Sequence, residues 1–224
     1  MISQPLKSLL RGDDCTEQFK TAYENRYTWD LGFKGYKGKC MLTRDDKTFE
    51  GQFIIDENLK FKVDYIFDTE AIKAISSQLW ELTVHRIRRP FKEVHGLNTF
   101  TVGDFNEIGM EVLVGGKNKG DSYRINNNSV TMVYRHIHGV VVNILTKDTF
   151  ETGSGYLSTN YTSQYFDPQN NNPKGSITTF SDTFNNLSDN GPWVLTERII
   201  TGNRGSESVA FKELFSFYDL TYLK

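Results

Sequence analysis

The sequence has little cysteine, no long apolar run and almost no excess charge. Its 224 residues include only two cysteines, Cys15 and Cys40. A secreted domain built on disulfides would carry more, so we expect both thiols to be reduced. No stretch approaches the ~18 consecutive apolar residues of a transmembrane helix. The formal net charge of −2 supplies no field that would attract nucleic acid, so we expect no nucleic-acid partner.

Motifs of the common enzyme classes are also missing. The glycine-rich segment Gly115–Gly120 is not followed by the Gly-Lys-Ser/Thr that opens a helix in a P-loop, so we interpret it as a hairpin turn. Gly153-Ser154-Gly155 lacks the spacing of a nucleophile elbow. No pattern identifies a cofactor. The first residues lack the apolar run and cleavage site of a secretory signal, so we expect the cytoplasm or an equivalent compartment such as a plastid stroma.

The chain does contain a regular succession of short strand patterns. Apolar residues at helical spacing predict only two helices, near 13–27 and 68–89, and Pro90 ends or kinks the second. Alternating polarity between turn residues predicts strands over the rest of the chain. These lie near residues 39–43, 48–56, 60–65, 99–103, 109–115, 121–126, 129–138, 140–148, 155–166, 175–184, 193–202 and 208–221.

This pattern predicts an α+β fold with one large sheet. We expect a flexible N-terminal segment over residues 1–14 and a single β-rich domain over 15–224. A long antiparallel sheet must cover one face, and two helices can do so if the sheet curves. We therefore predict a long curved antiparallel sheet, a half-open β-barrel, with both helices packed on or in its concave face. Its mouth could hold an apolar ligand or a partner's segment.

The segment from Val130 to His138 is the first candidate site. If it is one strand, Tyr134, His136 and His138 share a face. Two imidazoles at i and i+2 lie about 7 Å apart at the backbone, a spacing that lets both reach one metal ion given a further ligand. Three interpretations stay open for His136 and His138: metal ligands, contacts to a ligand or partner, or hydrogen-bonded residues of a sheet face.

Arginines near Pro90 form a second candidate. Arg86 and Arg89 are three residues apart, so on a continuous helix they face one way and could grip a carboxylate or phosphate. Arg135 joins them if the helix lies on its sheet face. The alternative is that these cations only complement the negative end of the helix dipole. Trp80 and Tyr134, with other aromatic residues, could line an apolar cavity or could simply fill the core.

Three segments carry a resemblance to a known family: Ala22–Trp29, Gln78–Arg89, and Val130–Gly139 with its Arg-His-Ile-His-Gly core. They resemble an uncharacterised family of cyanobacteria and photosynthetic eukaryotes, over nearly the whole chain. The resemblance implies a photosynthetic host and a tie to plastid-type physiology. The order of elements is also similar to the LolA-like lipoprotein carriers, in which an early helix precedes a curved sheet and inserted helices plug its mouth.

These observations favour a binding protein over an enzyme. We expect it to hold a hydrophobic ligand (a lipid, a pigment or a pigment precursor) or a partner's segment in the curved sheet. One alternative, from the resemblance, is an assembly or interaction factor for a photosynthetic complex. The other is a metal-dependent enzyme that uses His136 and His138.

Overall fold

The computed structural model describes residues 12–204 and 209–223. In these ranges the chain forms three helices, α1 (Gly12–Glu24), α2 (Thr69–Arg86) and α3 (Phe91–His95). The strands are β1 (Tyr36–Arg44), β2 (Lys47–Ile55), β3 (Phe61–Asp64), β4 (Asn98–Asn106), β5 (Gly109–Gly116), β6 (Ser122–Asn126), β7 (Ser129–Ile137), β8 (Val140–Glu151), β9 (Tyr156–Phe166), β10 (Pro173–Asn186), β11 (Trp193–Arg204) and β12 (Val209–Tyr222).

The strands form a large antiparallel sheet, as predicted. Their order is β3-β2-β1-β12-β11-β10-β9-β8-β7-β6-β5-β4, and among the described residues the sheet is open, with β3 and β4 at its two ends. Of the segment predicted to be flexible, residues 1–11 lie outside the described residues. Its last residues belong to α1, which begins at Gly12. No helix in the described ranges combines the length and the apolar character needed to cross a membrane.

The chain divides into two compact units. Unit 1 contains, of the described residues, 12–26 and 89–177, and unit 2 contains 27–88, 178–204 and 209–223. The single domain expected over 15–224 stays a prediction.

In unit 1, helix α1 packs on one face of the sheet. Its apolar stripe, which includes the predicted Phe19 and Tyr23, is buried against Val112 of β5 and Tyr123 of β6. The Phe19 and Tyr123 rings lie 4.5 Å apart at their centroids. Helix α3 adds Phe91, whose ring is 5.5 Å from that of Phe19. Pro90 is the N-cap of α3, so the proline that ends one helical pattern also starts a short helix that the sequence pattern did not indicate.

In unit 2, helix α2 packs against β1 and β3. It begins where Asp68 caps its N-terminus by accepting a hydrogen bond from the Ala71 N–H at 2.8 Å, and it ends at Arg86. Ile75 and Leu79 are buried on its inner face. The predicted extension to residue 89 is wrong, because Ile87 turns to extended backbone before Pro90.

Candidate functional site

Strand β7 in unit 1 places Tyr134 and His136 on one face of the sheet. Val133, which directly precedes Tyr134 on the strand, packs against the α1 cluster, so Tyr134 and His136 lie on the face away from α1. Their rings meet edge to face with centroids 6.0 Å apart. The shared face predicted for this pair is therefore confirmed.

His138 does not belong to that strand face, and this part of the prediction is wrong. Strand β7 ends at Ile137, and β8 starts at Val140. His138 and Gly139 form the two-residue turn between them, with φ of 49° and 79°. Positive φ at both positions is what a type I′ hairpin turn requires. Strand alternation therefore does not carry the side chain of His138 to the face of His136.

Asp121 is the functional candidate that sequence reasoning missed. Its carboxylate oxygen Oδ1 accepts hydrogen bonds from the backbone N–H of His136 at 2.9 Å and from the ring nitrogen Nδ1 of His136 at 3.0 Å. The Asp121 side chain is 3% exposed, whereas the His136 side chain is 45% exposed. A buried carboxylate thus orients an imidazole that faces solvent.

The pairing of β6 with β7 explains why these two residues meet. Ser122 lies opposite Tyr134, so the preceding Asp121 reaches the stretch of β7 around Arg135 and His136. Arg135 places its Nε 3.5 Å from the other Asp121 carboxylate oxygen. A signal was present in the sequence, because Asp121 directly follows the predicted glycine-rich hairpin, but the register of the two strands could not be obtained from it.

The contact with Asp121 fixes the chemistry of His136. When the neutral ring donates its Nδ1–H to the carboxylate, Nε2 keeps its lone pair and can accept a hydrogen bond. His136 is therefore suited to meet a donor group of a bound molecule. The metal interpretation of His136 and His138 stays a prediction; within residues 12–204 and 209–223, no three His, Cys, Asp or Glu side chains are grouped to hold a metal ion.

A groove of about 410 Å³ lies on the same face, and Tyr134, whose ring contacts that of His136, is one of the residues that line it. Cross-strand pairing builds its floor, because Tyr134 lies opposite Asn143 of β8 and Met132 lies opposite Leu145. Met132 and Leu145, with Ile108, are the apolar part of the lining. A volume of this size is in the range that holds a small organic ligand.

The other residues that line the groove are polar, and neighbouring carboxylates balance the positive charge of Arg124. Arg124 is buried, donates to the Gly109 carbonyl oxygen at 3.1 Å and pairs with Asp104 and Glu111. The hydroxyl of Tyr134 donates to the Asn171 side-chain oxygen at 3.1 Å. Because the Arg124 charge is balanced, the described residues that line the groove offer no free cation to attract an anionic ligand.

None of the other predicted site residues is among the residues that line this groove. Trp80 is 58% exposed on α2 of unit 2. Arg86 stacks over the Phe184 ring at 5.3 Å in the same unit. Arg89 is exposed and lies beyond the end of α2. The shared helix face predicted for Arg86 and Arg89 is therefore wrong, because the helix ends before Arg89.

Two buried thiols, Cys15 in unit 1 and Cys40 in unit 2, and the buried His95 of unit 1 are core residues. Burial raises the pKa of both Cys15 and Cys40 to about 11, so each stays a neutral thiol at pH 7. His95 lies among aromatic rings, including Phe91 and Tyr23 at 4.9 and 5.0 Å. Burial, reinforced by the positive charge of Arg135, lowers the pKa of His95 to about 4.

Comparison with known proteins places the chain in a family. No curated protein matches it. A solved structure of a DUF1329 family protein from Desulfovibrio piger matches 98% of this chain and 94% of its own, with 8% sequence identity and a TM-score of 0.24. The family model described as "Protein of unknown function (DUF3386)" matches residues 10–223. The chain therefore belongs to the DUF3386 family, as the predicted resemblance to an uncharacterised family implied.

Proposed function

We propose that this protein is a non-enzymatic binding protein that holds a hydrophobic molecule with a polar end, or a partner's segment, against the sheet face of β5–β8. The observation that carries the proposal is the groove of about 410 Å³ on that face. Its lining combines apolar side chains with a few fixed polar groups, as small-molecule sites do.

The apolar contacts would supply most of the affinity. Met132, Leu145 and Ile108 line the groove together. Covering apolar surface is worth about 25 cal/mol per Å², so a chain of a few methylene groups already offsets part of the entropy of binding. A lipid, a pigment or a pigment precursor has such an apolar body.

His136 and Tyr134 would orient the polar end of the ligand. The Asp121 carboxylate holds Nδ1 of His136, which leaves Nε2 to accept from a hydroxyl or an amide N–H. The hydroxyl hydrogen of Tyr134 is used by Asn171, so the oxygen of Tyr134 is also an acceptor. Of the predicted ligand-binding residues, Tyr134 and His136 carry this proposal.

The curvature predicted for the sheet is part of this proposal. A half-open barrel would present a concave sheet, and helices α1 and α2 each pack on a sheet face within their own units. The assembly factor for a photosynthetic complex and the metal-dependent enzyme remain alternative predictions. No contact described above favours either of them.

Methionine methyl groups offer a direct test. The protein with ¹³C-methyl methionine is titrated with 1-octanol and followed by NMR. Met132 lines the groove, whereas Met110 is buried against α1 on the opposite face and Met41 lies in unit 2. We expect a saturable shift of the Met132 signal, with Met110 and Met41 unchanged. An unshifted Met132, or equal shifts of all three, contradicts the proposal.

A pair of variants sharpens the test. Leu145→Asp puts a charge into the groove lining and should reduce octanol affinity by about tenfold or more. Leu97→Asp changes a side chain that is 75% exposed in the same unit and should leave the affinity unchanged. Equal effects of both variants would show that octanol binds elsewhere.

A further inference from the structure

Unit 2 has a groove of its own, of about 480 Å³, lined mainly by polar side chains. It lies on the face opposite the buried Phe215, because Ser216 and Tyr218, which line the groove, alternate with Phe215 along β12. The side chains that matter most here are Thr183, Asn185, Thr196, Glu197, Ser216 and Tyr218. This groove is independent of the function proposed above.

Two β-bulges in unit 2 shape the groove. Between β10 and β11, Thr183 pairs with Glu197 and Phe184 with Leu195, so Thr196 is an extra residue. Between β1 and β12 the register shifts after Lys37, and Asp219 takes a φ of 52°. Bulges bend a strand and increase its local twist. Both irregular positions, Thr196 and Asp219, are groove-lining residues.

Gly38 makes the second bulge possible. A Cβ atom at this position would lie 2.7 Å from the Tyr218 carbonyl oxygen and 2.5 Å from Cδ2 of Leu220. Tyr218 and Leu220 also line the groove. The absence of a side chain at Gly38 therefore lets β12 approach β1 in the shape that the groove requires.

Tyr218 is held as a flat platform in this groove. A hydrogen bond to Glu50, together with some burial, raises the pKa of Tyr218 to about 12, so its hydroxyl stays protonated and donates to that carboxylate. The ammonium group of Lys39 lies 5.8 Å from the Tyr218 ring centroid and 3.0 Å from the Asp219 carboxylate. These contacts hold the hydroxyl end of the ring and place a cation over one of its faces.

The lining is matched to hydroxyl groups. Thr196 accepts from the Asn185 amide at 3.4 Å and donates to the Thr183 carbonyl oxygen at 3.2 Å. Serine, threonine and asparagine side chains both donate and accept, as sugar hydroxyls do. Of the described residues that line the groove, none is Lys, Arg or His, while Glu197 and Asp219 are acidic, which disfavours an anionic ligand.

We propose that this groove binds a neutral polyhydroxylated ligand, a sugar, which packs its ring on Tyr218 and donates hydroxyls to Glu197 and Asp219. A sugar unit fits a volume of this size and supplies hydroxyl donors for the two carboxylates. The ligand is neutral because Lys39 already compensates Asp219, which leaves no large excess of negative charge.

Amide-resolved NMR of the full chain tests this proposal. The ¹⁵N-labelled protein is titrated with cellobiose and with maltose up to about 50 mM, a range that covers the millimolar affinities of small ligands. We expect saturable shifts at Thr196, Ser216 and Tyr218 for at least one of the sugars. Spermidine is the cationic comparison. No saturable shift with either sugar, or tighter binding of spermidine than of both sugars, overturns the proposal.

Variants give a second readout. Glu197→Leu removes an acceptor on a half-buried sheet position and should weaken sugar binding about tenfold, whereas Glu197→Gln keeps an acceptor oxygen and should weaken it less. Glu107→Leu, an exposed position of unit 1, is the matched control and should bind sugar like the wild-type protein. Equal binding by Glu197→Leu and the control overturns the proposal, and unchanged thermal unfolding of each variant shows that the fold is intact.

Discussion

At the scale of single residues, His95 and His136 carry the same side chain into opposite environments. His95 is 4% exposed and surrounded by aromatic rings, with one contact from its Nδ1 to the Asn98 amide at 3.3 Å. His136 faces solvent, and its ring nitrogen Nδ1 is hydrogen-bonded to the buried carboxylate of Asp121. The first imidazole is a core residue that must stay neutral, and the second is available to a ligand.

His95 makes stability depend on pH. Its pKa falls from the ordinary 6.5 to about 4 in the folded protein, so the unfolded chain binds the proton first. The contribution of His95 to the free energy of unfolding is therefore complete above pH ~6.5. It decreases as the pH falls towards 4, by on the order of 3 kcal/mol. Urea unfolding at several pH values should show this loss, and His95→Phe should remove most of it. The same acid-induced loss in both proteins would contradict this assignment.

Asp121 should control the tautomer of His136. With the carboxylate in place, the neutral ring keeps its proton on Nδ1; in Asp121→Ala we expect that tautomer to become the minor one, and stability to fall by about 1–3 kcal/mol. Long-range ¹H–¹⁵N NMR of the imidazole reports the tautomer directly. Asp104→Ala removes another acid of unit 1 and should leave His136 unchanged. An unaltered tautomer in Asp121→Ala would refute the role given to Asp121.

At the scale of elements, a buried ion pair fixes α2 to the sheet of unit 2. Arg198 of β11 donates to both carboxylate oxygens of Asp182 on β10, at 2.7 and 2.6 Å. The same guanidinium donates to the Gln78 side-chain oxygen of α2 at 3.0 Å and lies 3.3 Å from Glu81. Arg198 and Asp182 are both buried, so neither charge can be left alone without cost.

Removing one partner of this pair should destabilise unit 2 strongly. Arg198→Ala leaves the Asp182 carboxylate buried and unpaired, and we expect a loss of about 3–5 kcal/mol in the free energy of unfolding. Lys73→Ala breaks an exposed ion pair with Glu70 on the same helix and should cost at most about 0.5 kcal/mol. Chemical denaturation compares the two variants. Equal losses would mean that the Arg198 cluster does not secure α2.

At the scale of the whole molecule, the sequence pattern predicted the strands far better than the site. Alternating polarity marks a half-buried strand wherever it lies, and turn residues mark its ends, so the predicted strand near 175–184 appears as β10 and that near 193–202 as β11. Helix α3 was missed because five residues are too few to show a helical period.

The candidate site depended on register, which a single sequence does not reveal. Asp121 reaches His136 only because Ser122 of β6 lies opposite Tyr134 of β7. His138 was misplaced because His-Gly is not among the usual type I′ turn pairs, although its backbone adopts that geometry. The Arg198 cluster joins residues 120 positions apart in the sequence, a distance that no local pattern spans.

The pairing of β1 with β12 has a consequence for synthesis on the ribosome. Tyr36 of β1 lies opposite Tyr222 of β12, although β2 to β11 come between the two strands in the sequence. Unit 2 must therefore wait for β12 to emerge, while the meander of unit 1 between residues 89 and 177 joins neighbours in sequence and can form earlier. Until then β1 and β2 present an unpaired edge, so a nascent or truncated chain that lacks β12 would be the aggregation-prone species of this protein.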